Sequence, residues 1–217
     1  MNTSRYTYIE TSGKDTEVLI NNQNLRTHDE LESFEKQMTA NRLIELENNP
    51  YTVKGNFDLA HLCEIHKFIF GDVYPTSEKE MNVLSKKQNL SNRRYFVGRL
   101  REEDIFKGGF RFIPALYVES GLMDLFRELQ QENFLKNESL ETFPKRLAYY
   151  MAELNVIHPF REGNGRSNRE FIRQLAIHAG YKLEWSKLDA KELLHASIRS
   201  VVDTSLLEAQ LKNALSK

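Results

Sequence analysis

A single cysteine, Cys63, in 217 residues excludes a disulfide-built scaffold, and a lone thiol fits a reducing compartment. No apolar run approaches the ~18 residues of a membrane span. The longest, Phe112 to Val118, is broken by Pro114. Met1 to Glu10 has no apolar signal-peptide core, so a cytoplasmic protein is expected, with delivery to another cell left open. Charge of one sign is also missing. Thirty Lys+Arg against 31 Asp+Glu leave a net charge of −1, which disfavours nucleic acid and membrane surfaces as partners. With 5 prolines and 10 glycines, the chain has few helix breakers.

Apolar residues recur mostly at three- and four-residue spacing, so the expected fold is all-α, mainly helical, with about seven helices. The first opens at Thr27, with Glu30 completing a capping box, and buries Leu31, Phe34, Met38 and Leu46 before Asn48-Asn49-Pro50. The second runs from about Asp58 to Phe70 with Gly71 closing it. A third spans Gly121 to Phe134. The fourth begins near Thr142, with Pro144 in its first turn, and carries Leu147, Met151 and Leu154 toward His158. Helical signals resume near Asp189 and Asp203. Tyr74 to Glu119 is the least helical stretch, and within it Lys107-Gly108-Gly109-Phe110 reads as the turn of a small β-hairpin flanked by alternating aromatics. Lys86-Lys87 and Arg93-Arg94 read as solvated loop, Trp185 as packing, and His61, His66, His178 and His195 as helix-face or core residues.

One segment carries chemistry: His158-Pro159-Phe160-Arg161-Glu162-Gly163-Asn164-Gly165-Arg166-Ser167-Asn168-Arg169. Pro159 disfavours a helical conformation at His158, which places the imidazole at a helix end. Gly163 and Gly165 let the backbone approach a ligand and leave N–H groups pointing one way. A helix from about Arg166 adds its positive end, with Arg166 and Arg169 on one face and Arg173 a turn further, an arrangement suited to phosphate. Glu162 inside such a cradle would repel the ligand unless a cation lay between them, and Mg²⁺, held by few carboxylates plus phosphates, fits. His158 has the intrinsic pKa of a general base. Together these describe phosphoryl or nucleotidyl transfer.

The string resembles the signature of the Fic family, H-x-F-x-[DE]-G-N-G-R-x-x-R. All eight specified positions match, with Pro159 at the variable second place. Further resemblance lies in the helix leading into Asn155-Val156-Ile157 and in Asp58 to Pro75. The resemblance implies a protein adenylyltransferase, with residues 1–54 as an N-terminal extension and helix, 55–203 as the Fic domain and 204–217 as a C-terminal helix. It further implies that His158 takes the proton of a target Tyr, Thr or Ser hydroxyl, which attacks the α-phosphate of ATP. Glu162 would hold Mg²⁺ and Gly163, Asn164 and Gly165 would cradle phosphates. Arg166 and Arg169 would neutralise them, and Phe160 would anchor the loop. The hairpin at Lys107 to Phe110 would be the flap that lays a target segment beside the site. A related kinase-like branch has Lys at the position of Gly165, so nucleotidyl transfer is favoured.

Two departures are visible. Tyr74-Pro75 is followed by Thr76-Ser77-Glu78 where many relatives carry Trp-Ala-Gly. The family's self-inhibitory [ST]-x-x-x-E-[GN] does not precede the motif, and at Thr204 and Glu208 the following residue is Ala209, so Glu208 reads as a solvated carboxylate. A homo-oligomer or a small inhibitory partner remains an alternative source of control, and the chain itself is a candidate target. Alternative functions are a Fic-type transferase of another nucleotide or phosphate group, or a non-catalytic nucleotide-binding module.

Overall fold

The computed structural model describes residues 4–217 apart from 11, 13, 89 and 91. The described residues form eight α-helices and three two-stranded sheets. An N-terminal antiparallel pair, β1 (Thr7–Ile9) and β2 (Asp15–Leu19), precedes α1 (His28–Asn48). Next come α2 (Leu59–Phe70) and α3 (Glu78–Gln88). The hairpin β3 (Phe106–Lys107) and β4 (Phe110–Arg111) leads through a 3-10 turn, Ala115–Tyr117, into α4 (Val118–Gln131). Helices α5 (Phe143–Ile157) and α6 (Asn164–His178) follow, then β5 (Lys182–Leu183), α7 (Ala190–Arg199), α8 (Ser205–Ala214) and β6 (Leu215–Ser216).

Local chemistry explains most boundaries. Thr27 Oγ1 accepts the Glu30 N–H at 3.4 Å and donates to the Glu30 carboxylate at 2.7 Å, holding the first turn of α1. Asp58 and Asp189 cap α2 and α7 through their carboxylates. Gly71 ends α2 in the right-handed region, at φ −64°, rather than in a left-handed cap. Its missing Cβ matters for space, since one would lie 2.9 Å from the Lys67 carbonyl oxygen.

Helix α5 is the centre of the packing. It lies against α4, α6 and α8, while α6 also packs on α2, and α1 covers α2. Leu147, Met151 and Leu154, expected to face the core, are buried, as are Leu31 and Leu46 of α1, whereas Phe34 and Met38 only pack against its edge. Because α5 and α6 are both enclosed, the six-residue connection between them, His158–Gly163, is held from both sides.

Three elements depart from the sequence reading. The stretch from Tyr74 contains α3, whose start is closed by Glu80 reaching back to the Thr76 N–H at 2.7 Å and by Ser77 accepting the Glu80 N–H. Only Met81 is buried there, so its apolar stripe is too thin to announce a helix. The pair β1–β2 and the pairing of β5 with β6 were likewise not expected, the latter joining Lys182 to Ser216 and Leu183 to Leu215 across the last two helices. Of Arg93 and Arg94, read as solvated, Arg94 is exposed in a surface ion pair with Glu102 at 2.6 Å, whereas Arg93 is partly buried and donates to the Ser4 carbonyl at 2.6 Å.

Arg173 is the clearest correction. Instead of extending an anion-binding face, its guanidinium is buried, paired to both oxygens of Glu170 at 2.8 Å and donating to the Leu46 carbonyl at 2.8 Å. The Glu170 carboxylate also accepts from Gln174, which accepts from His61 Nε2–H at 3.0 Å. This network ties α6 to α1 and α2. Glu170→Ala would strand a buried cation and should destabilise the protein by about 3–5 kcal/mol. A fall in urea midpoint at unchanged slope is the expected reading, and an unchanged midpoint would contradict it.

Candidate active site at the α5–α6 turn

His158 caps α5 in the left-handed region, at φ 49° and ψ 63°, because Pro159 bars it from continuing the helix. Gly163, at φ 81°, caps the start of α6. Between them the chain is closed by one side chain: Asn164 Oδ1 accepts the Phe160 N–H at 2.8 Å while Asn164 Nδ2 donates to the Phe160 carbonyl at 2.8 Å. The Phe160 ring is fully buried and stacks on the His66 imidazole with centroids 3.9 Å apart. His66 accepts the Gly98 N–H at Nδ1 and donates from Nε2 to the Glu162 carbonyl, both at 3.0 Å. Accepting at Nδ1 requires the neutral ring, and burial pushes the His66 pKa down to about 3. The expectation of a satisfied core histidine holds, and the satisfied partner is the catalytic-candidate loop.

Asn164 therefore offers a ligand only its backbone N–H, since its amide is turned inward. The first intrahelical bond of α6 is Ser167 N–H to the Gly163 carbonyl at 3.1 Å. The N–H groups of Asn164, Gly165 and Arg166 thus have no acceptor within the helix, at its positive end. Gly163 has no room for a Cβ, which would sit 2.3 Å from the Phe70 ring. At Gly165 a Cβ would lie 3.2 Å from Arg169 Nη1, so this glycine lets the guanidinium fold over the start of the helix.

The two arginines of the motif differ. Arg166 is held by Glu35 of α1 at 2.5 Å and by Thr39 Oγ1 at 3.0 Å, lies over the Phe70 ring, and is 4.0 Å from Glu162. Tyr74 OH donates to the other Glu35 oxygen. Arg169 makes no ion pair or hydrogen bond among the described residues, although burial, followed by the neighbouring Arg166, lowers its proton affinity. A largely enclosed cation without a partner is stabilised by an incoming anion.

Glu162 spends one carboxylate oxygen on the Gly163 N–H at 2.8 Å, and its side chain is 41 % exposed. No group of three or more His, Cys, Asp or Glu able to hold a metal exists among the described residues. A single exposed carboxylate fits Mg²⁺, which is held mainly by phosphate oxygens and water, and does not fit a metal caged by protein ligands.

The hairpin lies beside His158. Gly108 and Gly109 form its turn at φ 57° and 78°, and Phe112, just past β4, stacks on the His158 ring with centroids 3.8 Å apart and planes 17° from parallel. Lys107, Gly108, Gly109 and Phe110 are exposed. Burial pushes the His158 pKa down to about 4, helped by Lys107 and Arg101 and opposed by Glu162. Glu208, on α8, forms no ion pair among the described residues.

Sequence reading missed Glu35, Thr39, Phe112 and Arg101 as contributors to this site. Phe112 stood within the recognised hairpin, and its alternation with Phe110 was a usable signal. Glu35 and Thr39 sit four apart on the α1 face that meets α6, but nothing local marks that face.

This turn has known counterparts. The Fic/DOC family model matches residues 56–176. The protein adenylyltransferase VbhT of Bartonella schoenbuchensis is 34 % identical over 204 residues, which is 94 % of this chain and 38 % of that protein. A probable protein adenylyltransferase Fic of Salmonella typhimurium is 35 % identical over 182 residues, covering 83 % of this chain and 79 % of the relative. Among solved structures, BepC of Bartonella tribocorum with bound AMPPNP superposes with a TM-score of 0.80 over 99 % of this chain and 97 % of that one, at 20 % identity. The chain belongs to the Fic/DOC family, and its mainly helical fold is the fold of these domains. It spans well under half the length of VbhT.

Gly163→Ala would force a Cβ into the Phe70 ring and a left-handed φ on an L-residue, the latter alone costing about 1–2 kcal/mol. Its thermal midpoint should fall by several degrees, with a wild-type midpoint arguing against the tight turn described here.

Proposed function

We propose that this chain is a protein adenylyltransferase that moves AMP from ATP to a Tyr, Thr or Ser hydroxyl of a target protein. The observation that carries the reading is an imidazole at the cap of α5 together with an unpartnered Arg169 whose guanidinium folds over the start of α6. A base alone would suit many reactions and an anion site alone would suit binding, but the two together suit attack on a phosphate. The names of the relatives point the same way.

In this mechanism the free N–H groups of Asn164, Gly165 and Arg166 cradle phosphate oxygens, and the Arg169 guanidinium supplies charge-assisted hydrogen bonds to the polyphosphate. Arg166 adds positive charge where the leaving group develops its own. Glu162 would hold Mg²⁺, which when bound neutralises phosphate charge. His158 takes the acceptor hydroxyl's proton as the oxygen bonds to the α-phosphorus, the bond to the β-phosphate oxygen breaks, and pyrophosphate leaves. The exposed hairpin from Lys107 to Phe110 is the surface on which a target segment would lie beside His158. Because no carboxylate is paired with Arg169 among the described residues, the isolated chain is expected to be active, with itself as one acceptor.

Incubation with Mg²⁺ and ATP labelled at the α-phosphate should yield protein carrying AMP. With His158→Ala, labelling should drop by about 10²–10⁴-fold while calorimetry still detects ATP binding. Wild-type labelling by that variant would remove His158 from its role, and failure of the wild type to label either itself or a lysate would count against the transferase reading.

The pH behaviour follows from the same geometry. A histidine whose pKa is lowered from 6.5 to about 4 stays neutral, and competent as a base, well below neutral pH. In the nucleotide-free protein the His158 imidazole signal should therefore hold constant in an NMR titration from pH 8 to about 5.5. A midpoint near the ordinary histidine value would refute the burial described for this ring.

A further inference from the structure

Arg101 is 2 % exposed, yet no carboxylate forms an ion pair with it among the described residues. Buried arginines are ordinarily paired, because an isolated charge in the interior is costly. This one is satisfied by backbone carbonyls alone. Its Nε donates to the His158 carbonyl at 2.8 Å, Nη1 to that of Glu103 at 3.0 Å, and Nη2 to those of Ile157 at 3.3 Å and Ile113. Its own backbone N–H donates to the Pro159 carbonyl at 2.9 Å.

These acceptors belong to two different places. Ile157, His158 and Pro159 are the end of α5 and its left-handed cap, whose carbonyls have no helical partner and carry the negative end of the helix dipole. Glu103 and Ile113 flank the hairpin, one before β3 and one after β4, with Ile113 adjacent to Phe112. One planar guanidinium thus binds the His158 backbone and the base of the strand pair whose Phe112 covers the His158 ring. A simple helix cap would need only a glycine or asparagine here. Spanning both places needs several donors in a rigid plane, which is what distinguishes Arg from Lys.

We propose that Arg101 is a positioning residue that fixes the His158 imidazole relative to the hairpin by clamping the carbonyls of both. The proposal rests on the transferase reading for its catalytic consequence, though the arrangement it describes exists without it. Arg101 touches none of the groups assigned to the nucleotide, so its loss should act on turnover and leave nucleotide affinity alone.

The test compares wild type with Arg101→Lys, which keeps the charge and loses the fork. Arg101→Ala with added guanidinium ion serves as the second variant, because leaving four carbonyls unpaired threatens folding. The first readout is the proton spectrum of the His158 ring, whose resonances are displaced by the ring current of Phe112 stacked upon it. In folded Arg101→Lys that displacement should be lost, and in Arg101→Ala it should return with guanidinium. The second is transfer of α-labelled AMP: kcat should fall by about 10²-fold, the effect of an ångström-scale misplacement, at unchanged KM for ATP. A wild-type ring-current shift in folded Arg101→Lys would overturn the proposal, as would wild-type turnover or a loss of ATP affinity matching the loss of rate. If the wild type does not label protein at all, the transferase reading fails, and the imidazole spectrum still decides whether Arg101 positions the ring.

Discussion

The site depends on a reciprocal pair of hydrogen bonds between Asn164 and the backbone of Phe160. They close a loop that begins at a left-handed histidine and ends at a left-handed glycine, and so turn the end of one buried helix directly into the start of the next. A non-glycine residue in the left-handed region is uphill, and it persists only where its surroundings over-determine it. Here the Phe160 ring is fixed on His66, His66 is fixed by Gly98 and the Glu162 carbonyl, and Arg101 takes the His158 carbonyl. Each of these side chains is buried, so each bond exists at low dielectric, where losing a partner would leave an unsatisfied group. The consequence is a backbone that presents N–H groups and an imidazole in one direction without needing a ligand to organise it.

The arginines show how charge is sorted. Arg173 is buried and paired with Glu170, so it contributes to assembly of the helices. Arg166 is partly buried and bound by Glu35, which spans from α1 and is itself held by Tyr74. Arg101 gives its side-chain hydrogen bonds only to backbone carbonyls. Of these four, Arg169 is the one left without a partner among the described residues, and it lies where the helix dipole already favours an anion. Four guanidiniums of the same intrinsic chemistry thus sit in four different environments, set by what faces each of them.

That sorting also marks the limit of what the sequence could show. The helices α1, α2, α4, α5, α7 and α8 were legible because caps such as Thr27, Asp58 and Asp189 and their apolar stripes are local, and the twelve-residue motif was legible because its chemistry is contiguous. Helix α3 was missed because it buries only Met81, and its stability rests on side-chain caps at Thr76 and Ser77. Arg173 was misassigned because its spacing from Arg169 suggests a shared face, whereas Glu170 and the Leu46 carbonyl draw it inward. Glu35 lies 131 residues from Arg166 and Arg101 lies 57 from His158, separations over which no periodicity speaks. Glycine reasoning succeeded where the backbone truly is left-handed, at Gly163, Gly108 and Gly109, and failed at Gly71, where the constraint is space.

The neutral state of His158 is the outcome of opposed effects whose sizes can be ordered. A Phe112 ring stacked on the imidazole would favour the protonated form by cation–π attraction, worth about 0.5–2 kcal/mol when solvent is excluded. Glu162 pulls the same way. Against them stand the removal of water from the ring, which is the largest effect, and repulsion from Lys107 and Arg101. A shift from 6.5 to about 4 corresponds to roughly 3 kcal/mol in favour of the neutral base, so exclusion of water outweighs the attraction of the aromatic face. Phe112 is thus on both sides of the balance: as a π-face it would stabilise imidazolium, and as a cover it prevents it.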